Sequence, residues 1–532
     1  MKKLLLTAVV GVLPVVMTAQ SATDAYMLAQ PDMKGTARFM SMAGAFGALG
    51  GDLSTLSQNP AGVGVYRSSE VGVTLNLDFQ STSATSIGAT DNVTRKADQF
   101  KATCPNFAYV GAVNLDSDAM PSISWGIGYS RIASFDRKYT GYVPKSQLST
   151  SMSNYVANFT NPIRILEGDL SYDNDNDPYK YSEAPWLSIL SYNSYLINPV
   201  GLSNDTYQGL WKNGTNGDAT FTVREKGYVD QFDLDLGGNI MDVLYWGIGV
   251  GITDLAFATD AYYDEELVNA RIVGKDNVGT ENGDAWFGLR NYSKVRGTGV
   301  NFKAGVIVKP INELRFGLAV HTPTYYDLRH EMLGECDYSY SSGIEGYHDT
   351  DDGWMSFYNS GYYSPWRLIA SVAGVIGGRG IISADYEYVG YSSMKVKDDL
   401  GMEYYDIAED IDNYYEDSHI LRLGGEFRVT PQFSLRAGYS YQSSPAKDDA
   451  ISNEEYIYTS GTNPAYIFDK STQYITAGLG YRFNAFYIDM AYVHKMRESV
   501  YRPFTSFDGN ESPSALITDH NNQVVMSVGV KF

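Results

Sequence analysis

Apolar and polar residues alternate strictly in many short stretches of this chain. Val71, Val73, Leu75, Leu77 and Phe79 interleave with Gly72, Thr74, Asn76 and Asp78. Ile123, Trp125, Ile127 and Tyr129 interleave with Ser124, Gly126, Gly128 and Ser130. The same rhythm runs through Val300–Val308, Leu314–Val320, Phe433–Tyr441 and Val524–Phe532. A period of two is the signature of a strand with two unlike faces. Counted in this way the chain holds about fourteen strands, an even number, as an outer-membrane barrel requires.

The connections alternate as well. Asp116–Ser122, Gly237–Met241, Lys309–Glu313, Gly377–Arg379, Val429–Gln432 and the step at Asn484 read as tight turns. Gln80–Asn106, Ser134–Lys226, Asp254–Thr298, Thr322–Pro365, Ser392–His419, Gln442–Thr472 and Lys495–Asn522 read as long loops. Short turns at one end and long loops at the other predict an all-β transmembrane antiparallel barrel, with the long loops outside the cell. A soluble β-sandwich would bury apolar faces between two sheets and would not need this alternation of connections. Tyr and Trp crowd the strand ends, at Tyr109, Trp125, Trp246, Trp366, Tyr386, Tyr439, Tyr481 and Tyr492 among others, as an interfacial girdle does. The last residue, Phe532, is aromatic, as outer-membrane barrels generally end.

The amino terminus does not alternate. Met1-Lys2-Lys3, an apolar run from Leu4 to Val16 and then Met17-Thr18-Ala19-Gln20 predict a secretory signal peptide over residues 1–19. The run is shorter than the ~20 residues needed to span a bilayer. No later apolar run of ~18 residues without charges is present, so no spanning helix is predicted. Residues 20–69 form a second non-alternating stretch, ahead of a barrel over residues 70–532. Its centre, Ala43 to Gly62, is rich in Gly, Ala and small apolar residues, which pack closely in a narrow space. A barrel of about fourteen strands has a lumen wide enough to need such filling.

This Gly/Ala-rich stretch running through Asp52 into Asn59-Pro60-Ala61-Gly62, just ahead of the first strand, resembles the FadL/TodX family of outer-membrane transporters of hydrophobic compounds. Ser383–Tyr388, Leu421–Phe427 and Arg436–Ser440 resemble family strands in the family's order. The resemblance implies a monomeric barrel plugged by an N-terminal hatch. Its cargo would be long-chain fatty acids or similar apolar compounds; aromatic hydrocarbons also fit, and with no energy source visible in the sequence, passage is expected to be diffusive. It also implies that the hatch, Asn59, Pro60, Ala61 and Gly62, moves to open a path. A side opening at an inward kink of the third strand would release cargo into the bilayer. Here that strand is Ile123–Arg131, and Gly126 and Gly128 permit a kink. The long acidic loops and the long segment after Phe135 depart from the family pattern.

Composition narrows the remaining chemistry. Of 532 residues 43 are Tyr and 52 are Gly, and the net charge is −22, which argues against nucleic acid as a partner. The mean hydropathy of −0.25 is too polar for a bundle of spanning helices. Inward strand positions carry Asp233, Asp235, Asp385, Glu387, Glu426 and Asp489 alongside Lys303, Arg315, Arg367, Arg422, Arg428, Arg436 and Arg482. Such charges pair with one another or with the plug. Arg422 or Arg436 is the candidate to hold a fatty-acid carboxylate by a bidentate contact.

Asp173-Asn174-Asp175-Asn176-Asp177 alternates oxygen ligands, but Pro178 stands where a calcium loop has Gly and Ala184 where it has Glu. The acidic loops otherwise read as solvated, with cation bridging to outer-membrane lipid as the functional alternative. The six His show no metal spacing, and no nucleophile or phosphate-cradling motif is present. No enzyme, cofactor or metal is therefore predicted. Cys104 and Cys336 lie far apart, and a disulfide or two thiols both fit. The rival reading is a surface receptor or adhesin that binds a glycan, a protein or haem through its long Tyr-rich loops.

Overall fold

The computed structural model describes residues 21–88, 90–115, 117–173, 177–275, 279–350, 356–452 and 456–532. The signal peptide over 1–19, the centre of the acidic run at Asn174–Asn176, and Asp351 and Asp352 lie outside the described residues.

Among the described residues fourteen antiparallel strands close into a barrel. They are β1 Glu70–Ile87, β2 Thr94–Asn114, β3 Ser122–Ser134, β4 Asn216–Ile240, β5 Leu244–Val273, β6 Thr280–Ile311, β7 Leu314–His321, β8 Trp366–Ile376, β9 Gly380–Gly390, β10 Ser418–Arg428, β11 Phe433–Gln442, β12 Tyr466–Phe483, β13 Phe486–Arg502 and β14 Ser514–Lys531. Each pairs with its neighbours, and β14 returns to β1 with Glu70 opposite Lys531. Closure leaves the wall no free edge, so backbone groups facing lipid are satisfied within the sheet. Below the last pair, Ser69 and Phe532 exchange two backbone hydrogen bonds of 2.9 and 3.0 Å.

At one end the turns are tight. Met241 and Asp242 have φ of 53° and 57°, and Gly377 and Gly378 have 58° and 65°. Each pair of left-handed residues makes the centre of a turn closed by Val243 N on the Ile240 oxygen at 3.0 Å, and by Arg379 N on the Ile376 oxygen at 3.2 Å. The turn expected over Gly237–Met241 sits at 241–243, because Gly237 and Gly238 stay paired with Gly247 and Trp246.

At the other end several predicted loops are strand. Gln80–Asn106 reverses only between Ile87 and Thr94, and Asp254–Thr298 only between Val273 and Thr280. The physical reason lies along β5. Up to Ile252 its outward side chains are Ile248, Val250 and Ile252, and its inward positions are Gly247, Gly249, Gly251 and Thr253. Beyond Asp254 the outward side chains include Asp254, Asp260, Asp264 and Glu266, while Leu255, Phe257, Tyr263 and Leu267 point inward and are buried. The ladder continues out of the membrane while the polarity of its two faces inverts. Leu244 to Ile252 is about the nine residues that a tilted spanning strand needs.

The extensions form a crown with its own core. Strand Arg137–Val143 pairs with upper β4, and helices Met152–Thr160 and Trp186–Asn193 pack beneath it. Phe221 and Tyr501 stack at 4.4 Å, and Phe287, Tyr155, Tyr263 and Tyr340 are buried in the same cluster. Many loop tyrosines that suggested a binding surface are thus core. Cys104 and Cys336 are both free thiols.

Candidate functional site: the plug and the wall around it

The plug runs the length of the lumen. Its first helix, Ala22–Ala29, starts at Ser21, which caps it reciprocally with Asp24. That helix sits in the crown, where Tyr26 stacks on Tyr415 at 4.8 Å and donates to Asp469 at 2.9 Å. The chain then descends to Ser69 at the tight-turn end.

Glycines on the inner wall let the plug backbone approach. A Cβ at Gly247 would come within 2.2 Å of the Pro60 carbonyl carbon, and one at Gly317 within 2.3 Å of the Gly47 oxygen. A Cβ at Gly438 would meet the Met42 carbonyl carbon at 2.5 Å. The empty inward positions of β5, β7 and β11 are therefore a seat cut to the plug.

Asn59 organises the lower plug. Its side-chain amide donates to the Gly47 oxygen at 2.6 Å, and its Oδ1 accepts from Ala61 N at 3.1 Å. This caps a short 3₁₀ helix, Pro60–Val65, that has Pro60 at its first position. A Cβ at Gly62 would strike Thr55 at 2.7 Å. Asn59, Pro60, Ala61 and Gly62 are thus brought together, fully buried, against β5 and β6.

Gly126 and Gly128 face Leu56 of the plug, whose methyls would meet added Cβ atoms at 2.4 and 2.9 Å. Strand β3 is continuous through both, with Gly126 opposite Val110 and Asp235, and Gly128 opposite Ala108 and Asp233. Its register shifts only higher, between Arg131 and Ala133. The glycines accommodate the plug here.

Several of the inward charges pair, while Arg428 and Arg482 are exposed and Arg315 donates to the Leu49 oxygen at 2.7 Å. Buried Lys303 donates to Asp233 and to the Leu56 carbonyl oxygen, and lies 3.5 Å from Asp235. Arg436 is held between Glu426 at 2.7 Å and Asp489 at 2.6 Å, and Glu426 also binds Arg38 of the plug at 2.9 Å. Asp385 accepts from Phe46 N, Gly47 N and Gln58 of the plug.

A different balance holds between the plug and the wall. There a chamber of about 120 Å3 is lined by Gln58, Asn301, His321, Arg367, Glu387 and Arg422. Glu387 takes both guanidiniums, Arg367 at 2.5 Å and Arg422 at 2.6 Å. Two cations share one carboxylate, and Arg422 Nη1 is buried without a hydrogen-bond partner. Of the two arginines singled out from the sequence, Arg422 reaches this chamber and Arg436 does not line it. Sequence reasoning missed Gln58 and His321, whose ring Nε2 lies 2.7 Å from the Gln58 oxygen. The alternation Ala319–His321 placed that ring inward and was the available signal.

Outside the wall, beside β3 to β8, lies an apolar depression of about 700 Å3. Trp125, Leu234, Ile248, Phe302, Val320 and Trp366 line it, with Gly126 and Lys303 at its floor. Phe302 is 60% exposed, an arrangement suited to acyl chains rather than water. No group of three or more His, Cys, Asp or Glu poised to hold a metal ion is found among the described residues.

A family model described as outer membrane protein transport protein (OMPP1/FadL/TodX) matches residues 200–530. Among solved structures, that of a FadL homologue from Pseudomonas aeruginosa is 14% identical, with 94% of this chain and 99% of that one covered and a TM-score of 0.51. The toluene transporter TodX of Pseudomonas putida is 13% identical, with 94% and 99% covered and a TM-score of 0.48. TbuX, the toluene transporter of Ralstonia pickettii, is 15% identical, with 93% and 98% covered and a TM-score of 0.45. At such identities the FadL homologue shows the fold alone. No curated protein matches.

Proposed function

Because this chain belongs to the outer membrane protein transport protein family (OMPP1/FadL/TodX), we propose that it carries long-chain fatty acids, or similar molecules with an apolar tail and an acidic head, across the outer membrane by diffusion. The observation that carries the choice of cargo is the chamber, where Arg367 and Arg422 share Glu387 and one Arg422 nitrogen is unpartnered. A carboxylate there would accept charge-assisted hydrogen bonds, which an aromatic hydrocarbon cannot. Arg422 is the residue assigned to it.

The cargo needs the plug to move. The chamber is smaller than the ~300 Å3 at the lower end of ordinary ligand pockets. Asn59, Pro60, Ala61 and Gly62 form the compact, capped piece whose displacement would free the lumen. A tail of ~15 methylenes would gain ~12 kcal/mol in one apolar slot, too much for release. Passage by weaker steps with sideways release to lipid avoids that trap.

The test is uptake by cells that express the chain, with a labelled long-chain fatty acid and toluene in parallel. Arg422→Ala should slow fatty-acid uptake about tenfold, the loss of one charge-assisted contact, and leave toluene uptake unchanged. Equal loss of both would remove the carboxylate assignment. Asn59→Ala with Pro60→Ala should alter the uptake of both compounds while the barrel still assembles.

A further inference from the structure

The barrel wall is regularly paired around Gly126 and Gly128 but not beyond the end of β7. Strand β7 ends at His321 opposite Lys303, and pairing with β6 resumes at Tyr325 opposite Val300, in strand Tyr325–Tyr340. Four residues advance on one side against three on the other, which is a bulge. The next chain is broken at the same level. Strand Ser356–Tyr363 ends with Tyr363 opposite Tyr325, and β8 takes up with Arg367 opposite His321. Pro323 and Pro365 occupy the two gaps, and neither has an N–H to give the ladder.

What remains across the seam is one backbone hydrogen bond and one to a hydroxyl. Ser364 N donates to the Thr324 oxygen at 3.1 Å. Thr324 N donates to Ser364 Oγ at 2.8 Å. On the β6 side, Thr322 N donates to the Phe302 oxygen at 3.0 Å and Phe302 N to Thr322 Oγ1 at 3.0 Å. Thr322 lines both the luminal chamber and the outer apolar depression. Arg367 and His321 stand on its inner side, and Phe302 and Trp366 on its outer side.

We propose that cargo leaves the lumen sideways through this proline-broken seam, between Thr322–Thr324 and Ser364–Pro365, and not through the third strand. The inference rests on the transport reading above. The seam is the place where chamber and depression share a residue and where parting neighbouring chains sacrifices few backbone hydrogen bonds. The same side-chain hydroxyls that complete the ladder can exchange partners as the gap widens. At Gly126 and Gly128, in contrast, the backbone is paired on both sides and Leu56 fills the inner face.

The experiment locks one site at a time. Thr324→Cys with Ser364→Cys places two thiols across the seam, on segments that exchange two hydrogen bonds and so lie within disulfide reach. Tyr109→Cys with Ile127→Cys, directly paired, locks β2 to β3. Both pairs are made with Cys104→Ser and Cys336→Ala. Labelled fatty-acid uptake is then read with oxidant and with reductant. The oxidised seam pair should take up cargo at least tenfold more slowly and recover on reduction, while the third-strand pair is unaffected. Thr322→Trp, which fills the seam without a cross-link, should also slow uptake about tenfold, and it supplies the reading if the cysteine pair does not assemble. Unchanged uptake with the seam locked or filled, or equal loss with the third strand locked, overturns the seam exit. No uptake by the unsubstituted chain would remove the transport reading itself.

Discussion

The lower and upper halves of β5 are one strand built by opposite rules. Near the tight turns Ile248 and Ile252 are about half exposed on the outer face, and the inner face is glycine. Above Asp254 the outer face is acidic, and Leu255 and Tyr263 are buried within. The backbone pairing with β4 and β6 runs through the change, with a register shift only near the top, between Leu267 and Ala270. What changes is the solvent. Where lipid is outside, apolar side chains face out and the interior is free to hold glycine, ion pairs and a plug. Where water is outside, the same ladder must bury its apolar face inward, and the crown becomes a conventional core. The lower interior is thereby left to hold the plug and its ion pairs, while the upper interior is taken up by a core.

The contrast can be broken most severely from the crown. Phe287→Ala removes a fully buried ring and should cost about 3–5 kcal/mol. Hydrogen exchange should show the loss confined to the crown, with the lower strands still protected; equal loss in both regions would deny that they are separate.

In the belt, Ile248→Arg should cost about 2–4 kcal/mol in urea unfolding from lipid vesicles. Thr298→Arg, outward and opposite Asp254 and Asp327 above the inversion, should change stability by no more than about 0.5 kcal/mol. Similar costs at the two positions would misplace the membrane surface.

The third effect depends on pH. Burial in the crown pushes the Glu265 carboxyl up to about 7, against the hydrogen bonds from Met152 N and Tyr263 that favour its charged form. The folded state thus binds this proton more tightly than the unfolded chain does. Its contribution to stability is present at low pH and is lost as pH rises from about 4.5 to 7. Protection of the crown should weaken over that window by up to about 3 kcal/mol, and Glu265→Gln should flatten the dependence. A slope that survives the substitution would assign it elsewhere.

The smallest effect concerns the seat of the plug. Gly126→Val drives a side chain into Leu56 and should cost about 1–3 kcal/mol, recovered in part by Leu56→Ala. Without that recovery, the glycine would serve something other than room for the plug.

The same inversion governs what could be read from the sequence. The lower strands announce themselves because lipid imposes apolar residues on every second position. The fourteen-strand barrel, the inward ion pairs and the filled lumen were all legible from that. The crown was not. Residues 254–273 still alternate, but with Leu255, Phe257 and Tyr263 now marking the inner face, and the mixture of Asp, Glu and Tyr reads as loop. Asn59-Pro60-Ala61-Gly62 was visible as a motif, yet its partner Gly47 lies twelve residues back and the wall glycines it touches lie hundreds of residues on. Arg422 and Arg436 had equal claims by parity. Only the fold gives Arg436 two carboxylates and leaves a buried nitrogen of Arg422, beside the chamber, without a partner.

One consequence follows from where the plug is fastened. Tyr26 moors it among the crown residues, and Ser69 moors it to Phe532 at the far rim. Were both fastenings to hold, the cord between them could be neither withdrawn like a cork nor swung like a door hung on one post. The movement proposed above would then be a loop of chain pulled aside from the middle, with its return built into the moorings.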